Sequence, residues 1–371
     1  MKKVIIIGAG ILGASTAYQL TKQGAQVTII DRQEAGQATS AATGIICPWL
    51  SQRRNKAWYH LAKSGARLYP QLVQELQDDG ESETGYAQVG AISIRDNEER
   101  LRKMQELAVA RREDAPEIGD VTLLTPEQTR ELFPLLDEKY GAVHISGAAR
   151  VNGALLNKAL LQAAEKHGAE IVHGDATLNH ENGKVTGVNV SNQFMQADRF
   201  ILTTGAWMND LLAPLGVVFQ GTAQRGQLVY VQVPNRKTSH WPVVMPPSDQ
   251  AIVPFDNHIV LGATHEDEVG FDHRVTAGAV HEVLEKAFRF APGLADSTFV
   301  QAKVAFRPFT PGFLPVVGPL PGHEEVILAN GLGASGLTTG PFVGLQLAKL
   351  ALGKEIDIQL EDYDVAGAIA D

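Results

Sequence analysis

Apolar positions along the chain change their spacing several times, and each change predicts an element. Residues 3–7 are an almost unbroken apolar run, residues 11–22 carry apolar side chains at helical spacing, and residues 26–30 are again largely apolar. That order reads as strand, helix, strand. A longer amphipathic helix follows, with Trp58, Leu61, Ala62, Gly65, Leu68, Leu72 and Leu76 on one face. The pattern then alternates over residues 88–94 like a strand, and Thr125-Pro126-Glu127-Gln128 is a capping box with proline at the first helical position. This stretch has the character of an excursion into a second domain.

From Gly141 strands and helices alternate again: a strand near Val143, a helix over Leu155, Leu156, Ala159, Leu160 and Ala163, and a short strand at 170–172. Asn182-Gly183 ahead of residues 184–190 predicts a hairpin, and residues 199–203 predict a buried strand ending at Gly205. Residues 226–233, 251–253, 258–262 and 298–307 are rich in β-branched and aromatic side chains, with a helix at 280–290 among them. They predict a mostly antiparallel sheet.

Composition narrows this picture by exclusion. The chain has 371 residues, 44% hydrophobic and 20% charged, which suits a globular enzyme with room for two domains. A net charge of −10 without a Lys/Arg-rich block leaves no footprint for a nucleic-acid partner. Cys47 is the only cysteine, which excludes an internal disulfide framework, an iron–sulfur cluster and a thiolate zinc site, and points to a reducing, cytoplasmic location. The eleven histidines include no H-x-H or H-E-x-x-H, and His265-Glu266-Asp267-Glu268 reads as a solvated loop, so no metal site is expected. The charged start before residues 4–12 imitates an export signal but lacks a small-residue cleavage site. Residues 326–348 carry no charge, yet five glycines and Pro341 interrupt them. A strand, a loop and a helix explain that run better than an integral membrane segment.

Gly8-Ala9-Gly10-Ile11-Leu12-Gly13 lies between the first strand and helix, with Asp31 at the end of the second strand. Gly8 allows a tight turn, Gly10 lets backbone N–H groups approach a pyrophosphate at the helix start, Gly13 permits close helix–strand contact, and Asp31 accepts from ribose hydroxyls. The expected class is therefore α/β. A discontinuous Rossmann-type domain (1–85, 141–216 and 318–371) carries a second, α+β substrate domain (86–140 and 217–317) with a mostly antiparallel sheet.

Two further segments select FAD over NAD. Residues 36–44 are small or hydroxyl-bearing and can pass close to an extended cofactor; residues 330–341 join a strand to a helix whose positive end suits the N1/O2 edge of a reduced flavin. Each alone also reads as a flexible loop or a glycine-rich packing turn. Together with residues 200–207, Arg225-Gly226-Gln227, Arg307-Pro308-Phe309-Thr310 and 315–318, they give a chain that resembles the FAD-dependent D-amino acid oxidase family, in its glycine oxidase, sarcosine oxidase and D-amino acid dehydrogenase branches. The resemblance implies FAD contacts from Ile11, Leu12, Asp31, Arg32, Thr39, Ser40, Thr43, Gly44, Ile45, Ala176, Gly333, Ala334, Ser335, Gly336, Leu337 and Thr338. Gly8, Gly10, Gly13 and Gly205 complete the set of expected cofactor positions.

Read without that resemblance, Arg307 is more often a surface or structural ion-pair residue. The resemblance implies that it pairs with the substrate carboxylate, a task its planar fork suits. The expected reaction oxidises the C–N bond of a small carboxylated amine by hydride transfer to flavin N5, with oxygen or a quinone as acceptor and no dedicated general base. A 2-hydroxy-acid dehydrogenase on the same fold, or a flavoprotein with structural FAD, are the alternatives. His265 is a further pocket candidate, and Cys47 reads as a buried apolar thiol. Where the family usually has Asp-Gly after its Arg-Pro, this chain has Gly312-Phe313. A tyrosine that assists substrate binding in glycine oxidase falls at Ala251.

Overall fold

The computed structural model describes residues 2–370. Its first sheet has six strands in the order Val316–Leu320, His323–Asn330, Arg199–Leu202, Lys3–Ile7, Gln26–Asp31 and Glu170–His173; all pair in parallel except the first, which is antiparallel. Lys3–Ile7 sits centrally, and its apolar run is explained by cover on both faces. Val4 and Ile6 pack into one core with the helices Ile11–Lys22, Gly153–Lys166 and Gly336–Leu352, whereas Ile5 and Ile7 pack with a three-stranded antiparallel meander spanning Ala176–Met195. The meander contains the expected hairpin, with Asn182 and Gly183 both at positive φ (53° and 77°) as a type I′ turn requires.

The second sheet has eight strands in the order Thr298–Phe309, Thr222–Gln232, Ile259–Gly262, Ala251–Pro254, Val243–Met245, Ala91–Arg95, Gly141–Ile145 and Val121–Leu124. Every pairing is antiparallel except Val243–Met245 with Ala91–Arg95. Helix Ala277–Phe290 packs one face. The strand near Val143 belongs here, between Ala91–Arg95 and Val121–Leu124, so the resumption of the first domain falls after residue 145 rather than at 141. An apolar pentapeptide shows only that a strand is buried; its partners 50 residues upstream decide the sheet. Val316–Leu320, which the expected boundary at 318 divides, pairs as one strand in the first sheet.

The long amphipathic helix is Lys56–Asp78, capped by the Asn55 side chain, with Trp58, Leu61, Ala62, Gly65, Leu72 and Leu76 buried. The capping box at Thr125 is present with both of its hydrogen bonds. Among the described residues no helix is long and apolar enough to cross a membrane. Residues 326–348 instead divide between strand His323–Asn330, a glycine turn and helix Gly336–Leu352.

Candidate active site

Between the two sheets lies a cavity of about 420 Å³. The first domain builds one end of it from the glycine turn. Gly8 (φ +99°) passes so near Thr203 that a Cβ would stand 2.6 Å from the Thr203 carbonyl oxygen, and a Cβ on Gly13 would stand 1.8 Å from the Gly8 oxygen. Gly10 differs: a Cβ there meets only Thr39 Oγ1, at 3.4 Å, because this glycine faces the cavity. Asp31 is held by the N–H groups of Ala9 (2.6 Å) and Gln33 (2.6 Å) and by Gln37 Nε2 (2.9 Å). A carboxylate offers about four acceptor sites, so one remains for a ligand hydroxyl.

Helix capping differs between this site and the other helices longer than five residues. Helices Lys56–Asp78, Glu98–Arg112, Pro126–Leu132, Gly153–Lys166 and Ala277–Phe290 each have a side-chain N-cap, from Asn55, Asn97, Thr125, Asn152 and Thr276. Helices Ile11–Lys22 and Gly336–Leu352, whose first turns line the cavity, have none. At the first of them the Ile11 N–H is taken by the Thr39 hydroxyl (3.0 Å), and the partial positive charge of both helix starts is directed at whatever the cavity holds. The helices sit side by side because Gly340 and Gly344 face Ile11 and Ser15 with no side chain between; Cβ atoms there would stand 2.9 and 2.6 Å from those residues.

Of the expected cofactor positions, Gly8, Gly10, Ile11, Leu12, Asp31, Arg32, Thr39, Thr43, Gly44, Ile45, Ala176, Gly205, Gly333, Ala334, Gly336, Leu337 and Thr338 line the cavity. Three stand back from it. Gly13 serves the contact with Gly8 described above, Ser40 is exposed with its hydroxyl on Gln37 O (3.3 Å), and Ser335 Oγ accepts from Trp58 Nε1 (2.8 Å). Cys47 is buried, its thiol pushed up to about 12 by that burial, and it is not part of the lining.

Arg307 closes the other end. Its Nη1 donates to Gln224 Oε1 (2.8 Å) and Thr264 O (3.0 Å), which leaves the remaining guanidinium edge toward the cavity. Gln224 is oriented in turn by its Nε2 donating to Asp267 Oδ1 (3.0 Å). Burial pushes the guanidinium down to about 10 against the pull of Asp249 and Asp267, so it stays cationic at neutral pH. His265 Nδ1 lies 3.0 Å from the same Gln224 Oε1, and its Nε2 lies 3.5 Å from Asp249 O. Burial and the neighbouring Arg307 hold this imidazole below its usual range, and it is neutral at pH 7.

Arg225-Gly226-Gln227 divides its work between two sides of the strand. Arg225 binds Glu266 (Nη2–Oε2 2.6 Å) and Asp272 (Nη1–Oδ2 2.8 Å), and Gln227 Nε2 donates to Glu266 Oε1 (2.8 Å). Glu266 is thus no solvated loop residue. Although its burial acts the other way, hydrogen bonds from Thr264, Arg225 and Gln227 hold its carboxyl below the usual range. Among the described residues no group of His, Cys, Asp and Glu is placed to hold a metal ion.

Residues 3–350 match the family described as FAD dependent oxidoreductase, DAO. The chain belongs to that family. This FAD-dependent oxidoreductase is 59% identical, over 100% of both chains, to the uncharacterised oxidoreductase YurR of Bacillus subtilis (strain 168), and 29% identical to the glycine oxidase of Pseudomonas aeruginosa over 99% and 100% of the two chains. Among solved structures it is similar to iminodiacetate oxidase from Chelativorans sp. BNC1, at 42% identity and a TM-score of 0.94 over 97% of this chain and 98% of that one. The cavity fits FAD: a ribose acceptor at one end, two uncapped helix starts along it, and an arginine beyond the second. Sequence reasoning missed Gln224 and Thr264, which position Arg307 from 83 and 43 residues away and carry no local motif.

Proposed function

We propose that this enzyme oxidises the carbon–nitrogen bond of a small amino acid or N-substituted amino acid, giving an imine that water splits into an oxo acid and an amine. The observation that carries this reading is the free edge of the buried Arg307 guanidinium at the end of the cavity opposite Asp31. FAD held in the cavity would supply the two-electron acceptor for the Cα hydride, and the substrate's own amine lone pair would close the C=N bond. Arg307 takes the substrate carboxylate bidentately, and with one oxygen pair fixed the Cα–H is held in a single orientation. The neutral His265 adds no second positive charge beside it. Gly8, Gly10 and the start of helix Ile11–Lys22 take the pyrophosphate, Asp31 the ribose, and Arg32, Ala176 and Gly205 flank the nucleotide end. Thr39, Thr43, Gly44, Ile45, Gly333, Ala334, Gly336, Leu337 and Thr338 surround the flavin. The names of two relatives, glycine oxidase and iminodiacetate oxidase, support an amine carrying a carboxylate.

The test is anaerobic mixing of the FAD-loaded enzyme with glycine, sarcosine, iminodiacetate and D-amino acids. Flavin absorbance is expected to fall with at least one of them, with release of ammonia or a primary amine. Arg307→Ala is expected to weaken the response roughly a hundredfold, as loss of a buried charge pair does. Undiminished reduction in that variant would remove Arg307 from the assignment.

A further inference from the structure

The sheet face that closes the substrate end of the cavity continues beyond it. Ala251 forms part of the cavity wall. Because Val244 pairs with Ile252 in antiparallel register, the neighbour of Ala251 is Met245, and Met245 pairs in turn with Ser93. The three side chains make a row with about 4.8 Å between strands. At the far end of the row is a second hollow of about 380 Å³, lined by Leu50, Gln52, Ser93, Arg95, Met245 and Ser248 among others.

Both flanks of this hollow adjoin, along the chain, residues that line the cavity. Ser248 immediately precedes Asp249, itself a lining residue, and Leu50 and Gln52 follow closely on Ile45. Arg95 is half-buried, and its hydrogen bonds go to neutral oxygens, Ser93 Oγ (3.3 Å) and Ile94 O (2.6 Å). Among the described residues no carboxylate lies within ion-pair distance of Arg95, the exposed Asp96 acting on it only from farther off, so this half-buried cation is open to an anion. Arg95 lies four strands from the strand Thr222–Gln232 that underlies the Arg307 guanidinium. That is about 19 Å of sheet, shortened by the reach of the Arg95 side chain.

We propose that the hollow seats a second, anionic arm of the substrate. The substrate is then an amino acid whose carboxylate is held by Arg307, and whose N-substituent passes over Ala251 and Met245 to end in a carboxylate on Arg95. The methyl group of Ala251 leaves the passage open, and the flexible, unbranched Met245 can yield to arms of different length. Ser93 and Ser248 supply hydroxyls at the seat. This rests on the amine-oxidising function proposed above and names its substrate class: secondary amines with a carboxylate on each branch.

The experiment has two arms. Anaerobic flavin reduction is measured with N-alkylglycines of matched length, N-propylglycine against N-(2-carboxyethyl)- and N-(3-carboxypropyl)glycine, in wild type, Arg95→Gln and Arg95→Lys. In Arg95→Gln the preference for the carboxylated arm, taken as the ratio of dissociation constants, is expected to fall roughly ten- to hundredfold, and Arg95→Lys is expected to recover part of it. In the second arm, glutarate and adipate are titrated against acetate and read by perturbation of the flavin spectrum, which tests the seat without oxidation. Tighter binding of the dicarboxylates, lost in Arg95→Gln, supports the seat. Dicarboxylates that bind no better than acetate, or a preference untouched by Arg95→Gln, would overturn it. Failure of every amine to reduce the flavin, with dicarboxylate binding intact, would count against the oxidation alone.

Discussion

Arg307 depends on a residue that has no side chain. Its guanidinium lies across the neighbouring strand over Gly226, where a Cβ would stand 2.8 Å from Nη2 and 2.9 Å from Cζ. Arg225 and Gln227, on either side of that glycine, hold Glu266 and with it the loop that carries Thr264 and His265. The tripeptide is therefore one device, with two polar residues fixing the loop and a gap between them for the Arg307 guanidinium. Gly226→Ala is expected to displace the guanidinium and raise KM for carboxylated amines at least tenfold, because a bidentate contact tolerates little misplacement. Steady-state kinetics on the best substrate checks this. A KM within twofold of wild type would show that Arg307 can bind from another rotamer.

At the scale of elements, the terminal helix carries a defect that another helix repairs. Pro341 lies four residues after Leu337 and has no N–H, so the Leu337 carbonyl lacks its helical partner. Tyr69, on the long helix Lys56–Asp78, donates its hydroxyl to that carbonyl, and Gly65 on the same helix leaves room for the Thr338 carbonyl, which a Cβ would approach to 1.9 Å. Trp58 adds its bond to Ser335. The long helix thus holds the first turn that faces the cavity. Tyr69→Phe keeps the ring stacked on Tyr86 (5.5 Å, 6°) and removes only the hydroxyl. Leaving a buried carbonyl unsatisfied is expected to cost about 1–3 kcal/mol in urea unfolding and to loosen FAD retention in dialysis. A loss below about 0.5 kcal/mol would mean the carbonyl finds another donor.

For the whole molecule, the two domains share one cavity and are held together across it. Strand Thr298–Phe309 reaches back to the first domain, where Phe306 N donates to Gly36 O (2.9 Å) and the Phe306 ring meets Trp207 and Phe271 edge-on. Burial also sets the response to acid. His144, His258 and His265 are each held below the usual imidazole range, chiefly by desolvation. The unfolded chain takes up these protons near pH 6.5 while the folded chain refuses them, so stability falls as pH drops through that region. Glu266 and Asp357 are shifted below the usual carboxylate range, and their contribution, present above about pH 4, is lost below it. Thermal melting is expected to show a Tm highest near neutral pH that declines in these two stages. A Tm unchanged between pH 7 and pH 5 would contradict the first.

The sequence alone determined the α/β class, the strand–glycine–helix unit with Asp31, FAD as cofactor, and Arg307 as the residue to watch. The class and the glycine unit depend on contacts within about thirty residues; FAD was reinforced, and Arg307 singled out, by motifs shared with the resembling family, since Arg307 read alone is more often a structural ion-pair residue. Only the tertiary structure decided which sheet the strand at Gly141–Ile145 joins, that Glu266 is bound rather than solvated, and that Gly13, Ser40 and Ser335 stand behind the cavity. It also placed Gln224 and Thr264 on Arg307, Tyr69 on Leu337, and Arg95 at the end of a row that begins at Ala251. Those choices are pairings between residues dozens to hundreds of positions apart. A side chain's own chemistry states what it can bind, and the fold alone determines which partner is within reach.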